Sequence, residues 1–245
     1  VSDVVERFAE AFGAEVRPAI ERGDGRPKRY RLEDGTVVPS VTTLLKARTN
    51  ADGLIQWAMK HGHQAEVLRD EAGAVGSVAH DYMEALVCGE ANPKAPLHTL
   101  PEHSHEEASN AITAARTFWS EWRERLRPVL VEVPLVSERH RFGGTPDLIA
   151  YDEQEGCHVV VDWKTSKRFY VDQIIQTGAY AIAVEEQRGI ECTAGMVVRL
   201  PKDGRPPAVL HFEGAAMDAA KRQFVRLRKA AWVDAKLERF FGLGR

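Results

Sequence analysis

From Val129 onward the chain strings together five short extended runs, VLVEVPLV, RFGGTPDLIAY, CHVVVDWKT, CTAGMVVRL and AVLHFE. They are dense in β-branched and aromatic residues and bounded by Gly, Pro and Asp, which marks them as strands. A helix-length segment from Val171 to Gln187 separates the third from the fourth, and a final helix is predicted from Ala215 to Phe240. A sheet must bury its faces against other elements, and helices are what this chain offers. The expected fold class is therefore α/β (α+β), a central β-sheet flanked by helices, with a helical N-terminal half.

That first half reads as follows. A helix spans about Asp3 to Phe12, and the loop ERGDGRPKRY follows it. Asp34-Gly35 lies between two β-type runs and signals a hairpin, while Ser40 after Pro39 is placed to cap a helix. Helical spacing recurs over residues 54–71, 75–88 and 106–126, the last with Ile112, Ala115, Phe118, Trp119 and Trp122 on one stripe. The Pro-rich stretch CGEANPKAPLHTLPEHSHEE reads as a long exposed connection. We read residues 1–245 as one domain in three parts: 1–46 with a helix and hairpin, 47–128 helical, and 129–245 with the sheet core and last helix.

Composition removes several classes of function. With 44% apolar residues the chain can build a real core, and with 28% charged residues and a net charge of −3 it is neither disordered nor a polyelectrolyte. A slightly acidic balance argues against a passive nucleic-acid coat, which gains affinity by neutralising phosphates. It leaves room for an enzyme whose acidic cluster offsets a basic groove. Cys88, Cys157 and Cys192 are far apart with no CxxC pair, so neither a disulfide framework nor a thiolate zinc site is expected. No apolar run approaches the roughly 18 residues of a membrane span, and acids near the start argue against a signal peptide. A cytoplasmic, reducing location is the expectation.

The chemistry gathers in the second and third runs. Side chains alternate along a strand, so Asp162 and Lys164 share one face while Val161 and Trp163 take the other. Asp147 closes a Gly-Gly-Thr-Pro turn, and the short connection DEQEGC lets its strand pair antiparallel with HVVVDWK. Asp147 then comes within reach of Asp162. Two carboxylates at one point repel, which favours a hard divalent cation such as Mg²⁺. A lysine beside it can orient or deprotonate a water, or hold negative charge developing on phosphorus.

Upstream, His80 and Glu84 are four apart on a helix and face one way. An imidazole nitrogen added to an oxygen-rich site suits Mn²⁺ somewhat better than Mg²⁺. Downstream, Gln176 and Tyr180 share a helix face shortly after the DWK strand. Each of these has an ordinary structural reading too: an ion pair for Asp162 and Lys164, a turn cap for Asp147, a partly buried histidine for His80, plain packing for Gln176 and Tyr180. The histidines at 61, 63, 98, 103 and 105 lack the spacing or fixed geometry of a second metal site.

The order G-x-x-x-H, G-G-T-P-D, V-D-W-K and Q-x-x-x-Y resembles the PD-(D/E)XK nuclease superfamily, and within it the RecB-like exonuclease branch. PSVTTLL at 39–45 is similar to the corresponding segment of phage-encoded members and of the mitochondrial genome maintenance exonuclease. The resemblance covers about residues 37–200. It implies a restriction-endonuclease-like core with a mixed sheet, and metal-dependent hydrolysis of phosphodiester bonds in DNA. Asp147, Asp162 and His80 would be ligands of Mg²⁺ or Mn²⁺, with the Trp163 carbonyl, and Lys164 would position the attacking water. Gln176 and Tyr180 would line the site and touch the DNA backbone or the metal-bound water, Glu84 would play a supporting part, and Glu132 in VEVPL would support the site from the first core strand.

The partner implied is DNA, single-stranded or with free ends, in recombination, repair or replication, for a bacterial or phage-encoded intracellular protein. A structure-specific endonuclease and a non-cleaving scaffold are the alternatives. Relatives with an iron–sulfur cluster carry four cysteines, three of them late in the chain. Here only Cys192 is late, so no iron–sulfur cluster is expected. No GK[ST] loop is present either, so no ATP motor is encoded in this sequence. Phosphate contacts are expected at GRPKRYR, 25–31, or on the basic face of the last helix around Lys221, Arg222, Arg226, Arg228 and Lys229.

Overall fold

The computed structural model describes residues 15–16, 30–46 and 51–243. The helix expected over Asp3 to Phe12 and most of the loop before Tyr30 lie outside the described residues. The strands are β1 (Glu15–Val16), β2 (Tyr30–Arg31), β3 (Val37–Val38), β4 (Leu126–Val131), β5 (Leu135–Ser137), β6 (Phe142–Gly144), β7 (Leu148–Asp152), β8 (Cys157–Lys164), β9 (Cys192–Arg199) and β10 (Ala208–Glu213). The α-helices are α1 (Val41–Lys46), α2 (Ala51–His61), α3 (Ala65–Val87), α4 (His105–Trp122), α5 (Val171–Arg188) and α6 (Ala215–Phe241).

The main sheet runs β1-β4-β7-β8-β9-β10. β4 is parallel to β1 and antiparallel to β7, β7 and β8 are antiparallel, β8 and β9 parallel, and β10 returns antiparallel. This is the mixed sheet flanked by helices that the sequence predicts. Its central strand β8 is apolar because both faces are covered. Val159, Val161 and Trp163 pack with Met83 of α3 and Phe118 of α4, whereas Val160 packs with Ile175 of α5 and Phe224 of α6.

Two expected strands are each divided. VLVEVPLV becomes β4 and β5, because Glu132 takes a left-handed φ of 53° between them. RFGGTPDLIAY becomes β6 and β7, because Pro146 has no N–H for a ladder. The helical boundaries also move. The break expected between residues 71 and 75 lies instead at Gly62, whose φ of 53° stops α2, and α3 continues through Gly73 and Gly76. α4 ends at Trp122 rather than 126, since Leu126 is already fully buried in the sheet, opposite Asp152.

The Pro-rich connection is not wholly exposed. It forms 3₁₀ turns at Leu97–Thr99 and Glu102–Ser104, and Leu100 is buried with Val75, Val78 and Ala108. The Asp34-Gly35 hairpin forms as expected, with Asp34 Oδ1 accepting from the Thr36 N–H at 2.8 Å. Ser40 caps α1, its Oγ accepting from the Thr43 N–H at 3.0 Å. No helix among the described residues is long and apolar enough to cross a membrane.

Candidate active site

Strand pairing assembles the site. Val131 of β4 lies opposite Leu148 of β7, so Glu132 and Asp147, one residue beyond each, adjoin; the Glu132 N–H donates to the Asp147 carbonyl at 3.2 Å. Leu148 in turn lies opposite Val161 of β8. That register sets Asp147 beside the end of β8, where its Oδ2 accepts from the Trp163 N–H at 2.8 Å.

From α3, His80 reaches the same point. Its Nε2 lies 2.8 Å from Asp147 Oδ1 and its Nδ1 3.5 Å from Glu132 Oε1, with the ring tilted against Trp163 at 5.4 Å. His80, Glu132 and Asp147 each offer a ligand atom within 4.8 Å of the others, and they are the only such trio among the described residues. Glu132, expected in a supporting part, thus stands in the cluster itself. Its signal in the sequence was a single acid in an otherwise apolar strand run.

Asp162 and Lys164 share a face of β8, as the alternation requires, and Lys164 Nζ lies 2.6 Å from Asp162 Oδ2. Asp162 is fully buried and lies outside the trio. Gln176 and Tyr180 also meet, the amide donating to the Tyr180 hydroxyl at 2.8 Å. Glu84 is buried one turn beyond His80.

These groups open into a cavity of about 580 Å³ lined by His80, Glu132, Asp147, Lys164, Gln176 and Tyr180. Ser40, Thr42, Thr43 and Lys46 line it too, along with Tyr30, whose hydroxyl bonds Thr145 Oγ1 at 2.9 Å. Gly144 also borders it, and a side chain there would not fit, since a Cβ would lie 2.5 Å from the Tyr180 ring. A second cavity of about 280 Å³, lined by Gly73, Ser77 and Thr165, shares His80 and Lys164 with the first.

A sequence model of the PD-(D/E)XK nuclease superfamily matches residues 46–240. The chain belongs to that superfamily. Similar solved structures include SSO0001, at 12% identity and a TM-score of 0.41, covering 93% of this chain and 82% of that one. Another is an exonuclease candidate from Eubacterium rectale, at 13% identity and a TM-score of 0.37, covering 64% of this chain and 68% of that one. No curated protein matches the sequence.

For a PD-(D/E)XK nuclease the donor set is apt. Two carboxylates and an imidazole suit Mg²⁺ or Mn²⁺, and the buried Asp162 Oδ1 has no hydrogen-bond partner from the protein. A buried oxygen left in that state is costly unless a cation compensates it. Burial, with Asp147 nearby, pushes the Asp162 carboxyl up to about 7 against the pull of Lys164. Burial also acts to raise Asp147, but His80 and Lys164 outweigh it and hold that carboxyl below its usual range. Lys164 is raised: burial opposes its charge, and Asp162 and Asp147 more than restore it. For His80, burial is outweighed by Asp147 and Glu132, which raise it.

The basic positions expected to touch phosphate lie apart from this centre or outside the described residues. Residues 25–29 belong to the latter. Lys221, Arg222 and Arg226 line a separate cavity with Glu185 and Glu186, and Lys221 is paired with Glu185.

Proposed function

We propose that this chain is a divalent-ion-dependent deoxyribonuclease that hydrolyses phosphodiester bonds, acting as an exonuclease on single-stranded DNA ends in recombination, repair or replication. The observation that carries the reading is the meeting of His80, Glu132 and Asp147 within 4.8 Å in a cavity that Lys164 also lines. Preference for ends is supported by the RecB-like order of the motifs.

In this reading His80, Glu132 and Asp147 would hold Mg²⁺ or Mn²⁺, with Asp162 and the Trp163 carbonyl as further oxygen donors. When bound, the ion supplies Lewis-acid stabilisation of the phosphoryl group and a lowered pKa for water. Lys164, kept cationic by Asp162 and Asp147, orients the attacking water and neutralises charge in the pentacovalent state. Tyr180 is held well above its ordinary pKa by burial and the nearby aspartates, so it stays protonated. Because Gln176 donates to its oxygen, the Tyr180 O–H remains available, in the cavity, as a donor to the DNA backbone.

The test is incubation with 5′- and 3′-labelled single- and double-stranded oligonucleotides in Mg²⁺, Mn²⁺ or EDTA. Metal-dependent shortening from ends is expected, lost in both Asp162→Ala and Lys164→Ala. Cleavage that survives EDTA, or both substitutions, overturns the reading. Cutting of closed circular DNA would make it an endonuclease, and metal-dependent DNA binding without cleavage a scaffold.

A further inference from the structure

Lys164 ends β8, and the chain then runs through Thr165-Ser166-Lys167-Arg168-Phe169-Tyr170 before α5 begins. This connection is built rather than slack. Ser166 Oγ donates to the Arg168 carbonyl at 2.9 Å and accepts from Gln173 Nε2 at 3.0 Å, and the Tyr170 N–H donates to Gln173 Oε1 at 2.9 Å. Arg199 lies opposite Lys164 on β9 and fixes the loop from the other side, donating from Nη1 to the Lys167 carbonyl at 2.6 Å. Its guanidinium also lies 5.7 Å from the Phe169 ring.

What the fixed backbone presents outward is two cations and an aromatic ring. Lys167 and Arg168 are exposed, Tyr170 is 43% exposed despite its size, and the Arg168 guanidinium lies 5.0 Å from the Tyr170 ring. Among the described residues no carboxylate pairs with Lys167 or Arg168, so both charges are available to an anion. The loop is also continuous with the catalytic centre, because Thr165 lines the smaller cavity together with His80 and Lys164.

An exposed ring among unpaired cations fits a chain of alternating flat bases and phosphates. A duplex hides its base faces, so only a single strand can use the ring along its length. We propose that Lys167–Tyr170 is the platform on which single-stranded nucleic acid lies as it passes the active site. Tyr170 stacks on a base, and Lys167 and Arg168 meet the flanking phosphates. This deepens the nuclease reading and rests on it for the nature of the substrate.

The test measures binding of fluorescent oligothymidylate to the full chain in EDTA by anisotropy, beside hydrolysis of a small chromogenic thymidine phosphodiester with Mn²⁺. Tyr170→Ala is expected to weaken oligothymidylate binding about tenfold, the loss of one stacked base. Tyr170→Phe is expected to bind like the parent, and both variants to hydrolyse the small diester unchanged. Arg168→Ala is expected to lower the slope of log affinity against log salt by about 0.7, one phosphate on a single strand. Unaltered binding in Tyr170→Ala, or equal binding and equal loss with duplex DNA, overturns the platform while leaving the nuclease reading in place. Absence of any DNA binding or cleavage by the parent overturns both.

Discussion

The Asp147 carboxylate is held from two sides, its Oδ2 accepting from the backbone N–H of Trp163 at 2.8 Å while its Oδ1 meets His80 Nε2 at 2.8 Å. One side chain thereby ties the turn before β7 to the end of β8 and to α3. Asp147→Asn keeps an oxygen for the Trp163 amide but removes the charge. It is expected to fold, to bind Mn²⁺ more weakly by calorimetry because an anionic oxygen ligand becomes neutral, and to lose cleavage by about 10²-fold or more. Unchanged Mn²⁺ affinity would remove Asp147 from the ligand set.

Glu132 is buried and adopts φ 53°, a conformation that costs a non-glycine residue about 1–2 kcal/mol. The strain is stored where it turns a carboxylate toward His80. Both Glu132→Gly and Glu132→Ala are expected to weaken Mn²⁺ binding. In EDTA, however, the Gly variant is expected to be the more stable by about 1 kcal/mol in urea unfolding, since only Ala keeps the strained backbone. Equal stabilities would show that the turn carries no strain.

This contrast explains how much of the site was legible in the sequence. Asp162 and Lys164 were readable because strand alternation fixes their shared face, and Gln176 and Tyr180 because helical spacing does. Asp147 followed from a turn residue beside a short hairpin connection. Glu132 stands in a comparable run, but its place beside His80 depends on a backbone kink and on the β4–β7 register, neither of which residue type reveals. The Lys167–Tyr170 loop is not legible in the sequence for a similar reason: it is fixed through Arg199, a strand away in space and 32 residues away in the chain. The break in the helical half is not legible either, because Gly62, Gly73 and Gly76 look alike in sequence and, of the three, only Gly62 takes a left-handed φ.

Away from the site, Arg125 clamps the β7–β8 hairpin, with Nε and Nη2 each 2.8 Å from the two oxygens of the buried Asp152. Burial acts to raise the Asp152 carboxyl, but Arg125 and the backbone amides of Glu155 and Gln154 prevail and lower it. A carboxyl depressed in the folded state contributes stability that is present above its unfolded value of 3.8 and lost as pH falls through the folded one. Asp152→Asn is therefore expected to cost about 2 kcal/mol at neutral pH, or about 4–8 °C in Tm for a chain of this size. The deficit should shrink when melting is repeated below that pH, while cleavage per folded molecule stays unchanged.

Ion binding itself should register in stability. The trio is assembled only by the folded chain, so any ion it takes stabilises that state by mass action, about 2.7 kcal/mol at one hundred times Kd. Melting in Mg²⁺ or Mn²⁺ is then expected to lie about 5–10 °C above melting in EDTA. Mn²⁺ should give its shift at the lower concentration, because His80 adds a nitrogen to the oxygen donors. His80→Ala should abolish that advantage while leaving a smaller shift from the carboxylates. An identical response of parent and His80→Ala to Mn²⁺ would mean that the imbalance of charge among Glu132, Asp147 and Asp162, and not a built site, is what the cation relieves.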